Sequence, residues 1–433
     1  MQQLEPKAEI PAANFSLLNF SSSGRVNTPE NRQNAQEPAG LIWAYRLLWL
    51  TFIIFFASTA IGKLWDRVWH ATIRFDTFWS PPHFFVFIMT VLSGLLIATI
   101  ALTPNLQSWF GPGIQLPVIK FKLAGSLIIL GGGLIMLSIT IILDSFWHGA
   151  FGLDETQWSV PHCMLGWSWL TIILGFISAR LAFRAYRPIN WFTRLVISLL
   201  ILEFLCPAVL GPYYLMYSPN LIHALANIPI VRGEPSAQHM YRIYLHYGLT
   251  RQTSPLFIPF VTLFAGIAMA LLQQIDARAR VFILAPFLWS ITLMMRDCYT
   301  ILFLHYDGVK HIVDIPRILA KEPSLWLPIP LFVAVILFML LKRSSFREGR
   351  IFAISGLVFG CLTFFIWHSA NWMILLAIPA AVIMVLGSWV GKLIYKIVEK
   401  PRLDMLLRLL LTTCAQIPAI LGVIDLIMRK TTP

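Results

Sequence analysis

Apolar residues along this chain are grouped in long runs that short polar stretches separate. A helix needs about 20 apolar residues to cross the hydrocarbon core of a bilayer, which is about 30 Å thick, and most of the runs approach that length. The pattern therefore predicts an all-α, polytopic integral membrane protein with about eleven transmembrane helices. The runs are 41–62, 83–102, 123–143, 163–181, 195–210, 256–272, 281–304, 325–341, 351–367, 373–390 and 406–427.

The polar stretches divide the chain into four parts. Residues 1–40 are rich in Asn, Gln, Ser, Pro and Glu, a composition that predicts a disordered tail. Residues 41–212 form a membrane domain with an internal repeat, and residues 213–255 form an outer loop or lid with several Tyr and His residues. Residues 256–433 supply additional transmembrane helices.

Charge is scarce and unevenly placed. Only 12% of the residues are charged, about half the share of a soluble domain, and 58% are hydrophobic, so the lipid bilayer is the expected surrounding. The net charge of +13 comes from basic clusters on every second loop, at 180–194, 278–280, 342–350 and 392–402. This is the positive-inside pattern, which predicts a multi-pass protein of the cell membrane with a cytoplasmic N-terminus and no nucleic-acid partner.

A duplicated motif is the most informative feature of the sequence. Residues 66–83 and 144–162 both read Asp-x-x-Trp-His, then a further Asp, then Trp-Ser-x-Pro-His, with one residue inserted in the second copy. Each copy joins the end of one apolar run to the start of the next. The chain has only 10 histidines, so four of them at matched positions in two hairpins indicate a shared chemical role.

The repeated Asp and His residues have the spacing of metal ligands. Asp66 and His70 are four residues apart, which places them on one face of a helix, and His83 opens the next helix, where it can fold back toward them. One carboxylate and two imidazoles with open positions suit copper, zinc or iron better than magnesium or calcium. The second copy offers the same set: Asp144, His148 and His162.

Four further carboxylates are candidates for supporting roles. Asp76 and Asp154 are expected either to orient a ligand imidazole or to cap a helix. Glu155 adjoins the second of these, and Glu203 lies inside an apolar run, where an ionisable group is costly and is expected to face the metal cavity or a proton path. A purely structural interpretation, with Trp in an interfacial belt and Asp as helix caps, explains the tryptophans but not two histidines per copy.

At these residues the chain resembles the copper-dependent membrane monooxygenases, the particulate methane and ammonia monooxygenase family, in the membrane-embedded subunit that bears two neighbouring metal motifs. Asp66, His70 and His83 fall in register with the Asp-x3-His-x12-His copper motif of that family, together with Trp69, Thr72, Ile73, Asp76, Thr77 and Pro81. The neighbouring family site reads Asn-x3-His-x13-His, and Asp144, His148 and His162 reproduce its spacing with Asp in place of Asn. The resemblance covers roughly residues 43–186.

The resemblance implies copper at both sets, on the extracytoplasmic side, and O2-dependent hydroxylation of a small hydrophobic substrate such as a hydrocarbon, or of ammonia. It also implies other monooxygenase-type subunits or a homo-oligomer as partners. Two other interpretations stay open. One is a non-catalytic copper or zinc transporter, store or sensor, and the other is a membrane zinc hydrolase with Asp76 or Glu155 as its base.

Overall fold

The computed structural model of the protein describes residues 38–72, 79–116, 122–151, 160–203, 257–275, 284–289, 291, 295, 328–367 and 377–406. Residues 40–433 belong to one compact unit. Its described part is almost entirely helical. A few side chains inside these helices, among them those of His70, His148 and His162, lie outside the description.

The main helices of the N-terminal half start within about four residues of the apolar runs, and two of them continue well past the ends of those runs. The first stretch comprises α1 (Ala39–Phe52), a π-helical turn (Ile53–Ala57) and α2 (Ser58–Thr72), without a break between them. It is followed by α3 (Pro81–Leu102), a short α4 (Pro104–Gln107), α5 (Gly125–Phe151), α6 (Val160–Ala182) and α7 (Trp191–Leu202). The C-terminal half contributes α8 (Phe257–Ile275), α9 (Pro328–Leu341), α10 (Glu348–Trp367) and α11 (Ala377–Glu399).

Five of the described helical stretches are long and apolar enough to cross a membrane: Ala39–Asp66, Pro81–Leu102, Gly125–Trp147, Met164–Ala185 and Ile378–Glu399. Shorter apolar helices are found at Trp191–Leu202, Val261–Ile275 and Ile329–Leu341. The prediction of a membrane protein built from apolar helices thus has a structural counterpart in these ranges. The predicted run at 406–427, apart from its first residue, and most of the run at 281–304 lie outside the described residues.

A short antiparallel ribbon is the exception to the predicted all-α fold. Strand β1 (Gly113–Gln115) pairs with β2 (Lys122–Ala124), and Ile114 lies opposite Leu123. Gly111 precedes the ribbon with φ of 106°, a conformation that side chains with a Cβ rarely adopt. Because each strand has only three residues, no alternation of polar and apolar positions indicates the ribbon in the sequence.

Close helix crossings hold the N-terminal helices together. Helices α5 and α6 pack along their length. A Cβ atom added to Gly175 of α6 would lie 2.5 Å from the backbone nitrogen of Leu130, and one added to Gly133 of α5 would lie 2.8 Å from Cγ1 of Ile172. Small residues at such crossings let two backbones approach, which is how helices gain van der Waals contact where lipid removes the hydrophobic driving force.

Close backbone contacts at glycine positions also join α8 to α11. A Cβ atom on Gly266 would lie 2.6 Å from the carbonyl oxygen of Met384, and one on Gly391 would lie 2.6 Å from that of Ile267. Helix α11 in turn contacts α6: the hydroxyl of Ser178 donates to the carbonyl of Val398 over 2.6 Å. The helices before residue 204 and those after residue 256 are therefore packed on each other.

Basic residues collect at one end of the helical unit, near the N-terminus of α7 and the C-termini of α6 and α11. Arg184 pairs with Glu399 over 2.9 Å, and Lys392 pairs with Glu348 over 2.6 Å, so the cationic ends of α6, α10 and α11 are side by side. The guanidinium of Arg180, which is fully buried, donates to the carbonyl of Arg187 over 3.2 Å. Because α2 ends, α3 starts, α5 ends and α6 starts at the opposite end, both repeat hairpins lie away from these charges.

We expect Gly175→Ala to destabilise the protein by about 1–3 kcal/mol, because the new methyl group would overlap the backbone of Leu130. Gly166→Ala on the same helix is the matched control, since a Cβ there meets nothing within 4 Å. Better helix propensity should make that control neutral or stabilising by up to about 1 kcal/mol. The free energy of unfolding in detergent measures both, and equal stability of the two variants would contradict the close crossing.

Candidate metal centre

The first repeat hairpin is formed by the end of α2 and the start of α3. Helix α2 continues through Asp66 and His70 to Thr72, so the two residues are one helical turn apart, as the sequence predicts. Ser80 precedes α3, and proline occupies its first two positions. Proline lacks the amide proton that a first helical turn leaves unbonded and has φ already set for a helix, so it begins α3 here.

The two helices of this hairpin bring a predicted carboxylate and a predicted imidazole together. Nε2 of His83 lies 2.7 Å from Oδ1 of Asp66. The side chains are 18% and 32% exposed, so the pair is partly buried. A separation of 2.7 Å is that of a direct hydrogen bond or ion pair, so the hairpin brings two of the predicted ligands into contact with each other.

The helices that flank the second hairpin end and start at corresponding positions of the motif. Helix α5 continues past the apolar run through Asp144 and His148 to Phe151, and α6 starts at Val160, two residues before His162. The carboxylate of Asp144 is 8% exposed, which is unusual for a charged group at the end of an apolar helix. An ionisable side chain buried in such a place is ordinarily part of a functional site.

Helix geometry places Asp144 level with His162. Distances along the two helices are counted from the place where Gly133 of α5 approaches Ile172 of α6. Asp144 lies eleven residues from it along α5, and His162 lies ten residues from it along α6, toward the same end of the unit. At 1.5 Å per residue both backbone positions are about 15–17 Å from the crossing. The second hairpin thus repeats the level pairing that Asp66 and His83 have in the first.

The two hairpins are neighbours at one level. A Cβ atom added to Gly131 of α5 would lie 3.7 Å from Cγ2 of Ile97 of α3. From this contact, His83 is fourteen residues away along α3 and Asp144 is thirteen away along α5, about 20 Å in each case. Adjacent helix axes are roughly 8–10 Å apart, so the two candidate sites lie side by side rather than at opposite ends of the unit.

Trp169 of α6 fastens the second hairpin to α2. Its ring lies 5.2 Å from that of Phe55 and 3.6 Å from Nζ of Lys63, so it spans about two turns of the helix that carries Asp66. An ammonium group over an indole face is attracted by the ring quadrupole. The midpoint between Phe55 and Lys63 is about seven residues from Asp66 along the first helical stretch, and Trp169 is seven residues from His162 along α6. Asp66 and His162 are therefore at about the same height along their helices.

Lys63 and Trp169 were not among the residues that the sequence singles out. The lysine is three residues from Asp66, and the tryptophan is one of 16, so neither has a distinctive local signal. Their pairing depends on how α2 and α6 cross, and only the tertiary structure shows it.

Of the four carboxylates predicted to have supporting roles, the structure describes one, Glu203. Asp76, Asp154 and Glu155 lie outside the described residues. Glu203 follows the last residue of α7, and its Oε1 accepts a hydrogen bond from Nε1 of the buried Trp289 over 3.4 Å. This bond joins α7 to the segment after α8.

A complete ligand triad cannot be read from the described side chains. Among them, no three His, Cys, Asp or Glu groups come together as a metal site requires. Of the six predicted ligands, the side chains described are those of Asp66, His83 and Asp144, while those of His70, His148 and His162 lie outside the description. The predicted copper sites therefore remain predictions at this point.

A double-mutant cycle tests the contact that fastens the hairpins together. We expect Lys63→Met and Trp169→Leu to couple by about 0.5–2 kcal/mol in the free energy of unfolding, since each variant removes one partner of a cation–π contact. Arg46 and Trp43 form the control pair, because their 5.5 Å separation and the 56% exposure of Trp43 predict weaker coupling. Additive effects for Lys63 and Trp169 would refute the contact.

The chain was compared with protein families, curated sequences and solved structures. No family model, no curated protein sequence and no solved structure matches the chain. The candidate centre consequently rests on the repeat and on the geometry of its two hairpins.

Proposed function

We propose that this protein is a copper-site membrane protein, and that it acts as or within an O2-dependent monooxygenase for a small apolar substrate such as a hydrocarbon, or for ammonia. The observation that carries the proposal is the 2.7 Å contact between Nε2 of His83 and Oδ1 of Asp66. Two residues that the copper-monooxygenase resemblance names as co-ligands thus meet across a hairpin. The resemblance to that family also supplies the reaction class.

In this proposal each hairpin holds one metal ion. Asp66, His70 and His83 bind the first, and Asp144, His148 and His162 bind the second. Imidazole nitrogen suits copper, with zinc and iron as the alternatives, and three protein ligands leave open positions. Copper bound there would supply reversible one-electron redox chemistry and a position for O2.

Charge balance supports a cation at the second hairpin. Residues 144–162 contain Asp144, Asp154 and Glu155 and no Lys or Arg, and Asp144 is buried. A metal ion bound there would offset this charge. In the first hairpin Arg67 and Arg74 already balance Asp66 and Asp76, so the proposal there rests on the ligand pattern. The Asp that replaces the family's Asn at position 144 would strengthen cation binding in the second hairpin.

The residues of the hairpins have separable roles. The helical spacing presents Asp66 and His70 on one face, and the proline-started helix returns His83 to that face. Trp69 and Trp147, one residue before a ligand histidine, pack at the helix ends. Asp76, Asp154 and Glu155 are proposed to orient ligand imidazoles, and Glu203 to sit on a proton path.

The proposed orientation in the membrane follows from the position of the basic residues at one end of the helical unit and of both hairpins at the other. We place the basic end in the cytoplasm together with the N-terminus, and both hairpins on the extracytoplasmic side, with about eleven transmembrane helices in all. The distance along α6 from His162 to Ala182 is about 30 Å, which matches a bilayer core. Exposed apolar side chains on α3 and α5, such as Leu95 and Ile135, would then face lipid, another subunit or a second copy of the chain.

A metal transporter is the main competing function. Transport sites lie near the middle of the membrane, at interrupted helices. The candidate ligands lie instead at helix ends, on one side of the unit, which favours the oxidase. Copper or zinc flux into vesicles in the absence of oxygen would reverse this preference.

We expect purified protein to bind copper at two sites, so that His83→Ala and His162→Ala each lose about one equivalent per chain. His368→Ala is the control, because this histidine lies outside both motifs, and its copper content should equal that of the unmodified protein. Elemental analysis combined with electron paramagnetic resonance of Cu(II) gives the stoichiometry and the nitrogen ligands. Zinc as the sole bound metal would count against oxygen chemistry.

Product formation tests the reaction itself. We expect His70→Ala and His148→Ala to lower O2-dependent product formation by at least about 10- to 100-fold, because loss of a direct ligand should cost no less than loss of an outer partner. Trp79→Leu changes an exposed position in the same motif and should retain activity. Helix content by circular dichroism must be unchanged in all three variants, and full activity in both histidine variants would refute the oxidase.

A further inference from the structure

The connection between α6 and α7 carries positive charge and no acidic residue. Residues 180–194, which we call the arginine turn, contain four arginines and no Asp or Glu. Arg184 pairs with Glu399 over 2.9 Å. The acidic residues described at this end of the unit, Glu348, Glu399 and Asp404, are each already in an ion pair with a basic side chain. Positive charge is therefore in excess around the arginine turn.

Arg180 is buried in this turn without an acidic partner among the described residues. Its side chain is 1% exposed. Its two terminal nitrogens donate to the backbone carbonyls of Arg187 and Pro188, each over 3.2 Å, while its Nε is buried and bonds to none of the described groups. Carbonyl oxygens satisfy the donors but do not neutralise the charge. Because a buried ion is costly without an opposite charge close by, an anion at the turn would stabilise it.

Arg187 brings a second cation to the same place. The guanidinium carbons of Arg180 and Arg187 lie 5.4 and 5.3 Å from the ring centroid of Tyr45. The ring attracts each cation, but the two like charges repel each other. Arg194 of α7 also reaches the turn, where its Nε donates to the carbonyl of Ile189 over 3.2 Å. Arg187 and Arg194 are half-buried, so an anion from outside can contact these two and not Arg180.

Exposed aromatic side chains lie next to these cations. Tyr186, Trp191 and Phe192 are all exposed, and the ring of Tyr186 packs against that of Trp109 with centroids 5.0 Å apart. Trp and Tyr are enriched where a membrane meets water, since their rings are apolar and carry one polar group. A soluble anion at the arginine turn would leave these rings in water. A phospholipid would cover them with its acyl chains while its phosphate contacts arginine.

We propose that the arginine turn binds one anionic phospholipid, from the membrane leaflet that borders the basic end of the unit. Arg187 and Arg194 bond the phosphate, and Trp191 and Phe192 contact the glycerol and acyl chains. Arg180 holds the turn in place through the two carbonyls and adds its charge from behind. The start of α7 contributes the partial positive charge of a helix N-terminus. The metal centre takes no part in this binding, so it does not rest on the proposed function.

Titration with a defined lipid tests the binding. We expect phosphatidylglycerol, added to the full-length protein in a neutral detergent and followed by native mass spectrometry, to bind more tightly than phosphatidylcholine, whose headgroup has no net charge. Arg187→Gln should weaken phosphatidylglycerol binding about fivefold, the effect of one cation near an anionic surface. Arg187→Lys keeps the charge and should bind more tightly than Arg187→Gln. Equal affinity of the unmodified protein for the two lipids would overturn the proposal.

Arg402→Gln is the matched control. It removes the same charge from the same end of the unit, but Arg402 lies outside the arginine turn, is 68% exposed and is paired with Asp404. We expect phosphatidylglycerol to bind this variant as it binds the unmodified protein. If Arg402→Gln and Arg187→Gln weaken binding equally, only the overall charge matters, and a site at the arginine turn is refuted.

Glycerol 3-phosphate, which has the phosphate without acyl chains, distinguishes a lipid from a soluble anion. We expect it to bind the full-length protein more weakly than phosphatidylglycerol. Trp191→Ser removes an exposed ring and no charge, so it should weaken binding of the lipid and leave that of glycerol 3-phosphate unchanged. This surface variant also keeps the test decisive if Arg187→Gln does not fold. Glycerol 3-phosphate that binds as tightly as the lipid, or lipid binding unaltered in Trp191→Ser, would overturn the assignment to a phospholipid.

Discussion

The crossing of α5 and α6 at Gly133 and Gly175 determines the rest of the candidate centre. With no side chain at either position, the two backbones meet and cannot slide past one another without losing contact along the whole interface. This crossing sets the relative height of Asp144 and His162, which lie some ten residues away on different helices. The level of the first hairpin is set by a second interface of α5, at which Gly131 contacts Ile97 of α3, the helix that carries His83.

Where the structure describes the chain, the predicted apolar runs correspond to helices, but not at all of their ends. The run at 83–102 corresponds to α3 within two residues, because proline marks its start. The run at 123–143 ends at the first charged residue, whereas α5 continues to Phe151, since Asp144 and the residues after it end the apolar pattern without breaking the helix. This extension makes Asp144 and His148 helical neighbours, as the continuation of α2 to Thr72 does for Asp66 and His70.

A contact within one hairpin could be predicted from the sequence, but contacts between helices that are distant in sequence could not. The contact of His83 with Asp66 follows from spacing in a hairpin and could be anticipated. The placement of Lys63 over Trp169 joins positions more than 100 residues apart and required the helix crossing to be known. The π-helical turn at Ile53–Ala57 has no sequence signal, because its residues are ordinary apolar ones that an α-helix would accommodate equally well.

Helix α6 contacts α11 near its C-terminal end and carries His162, one of the predicted ligands, near its N-terminal end. The contacts with α11 are made by Ser178 and, just past the end of α6, by Arg184. His162 lies sixteen residues from Ser178, about 24 Å along the helix axis. A tilt of about 5° around these contacts would displace the backbone of His162 by about 2 Å, comparable to a metal–ligand bond. The crossing with α5 opposes such a tilt, so the interfaces of α6 with α5 and with α11 together set the position of His162.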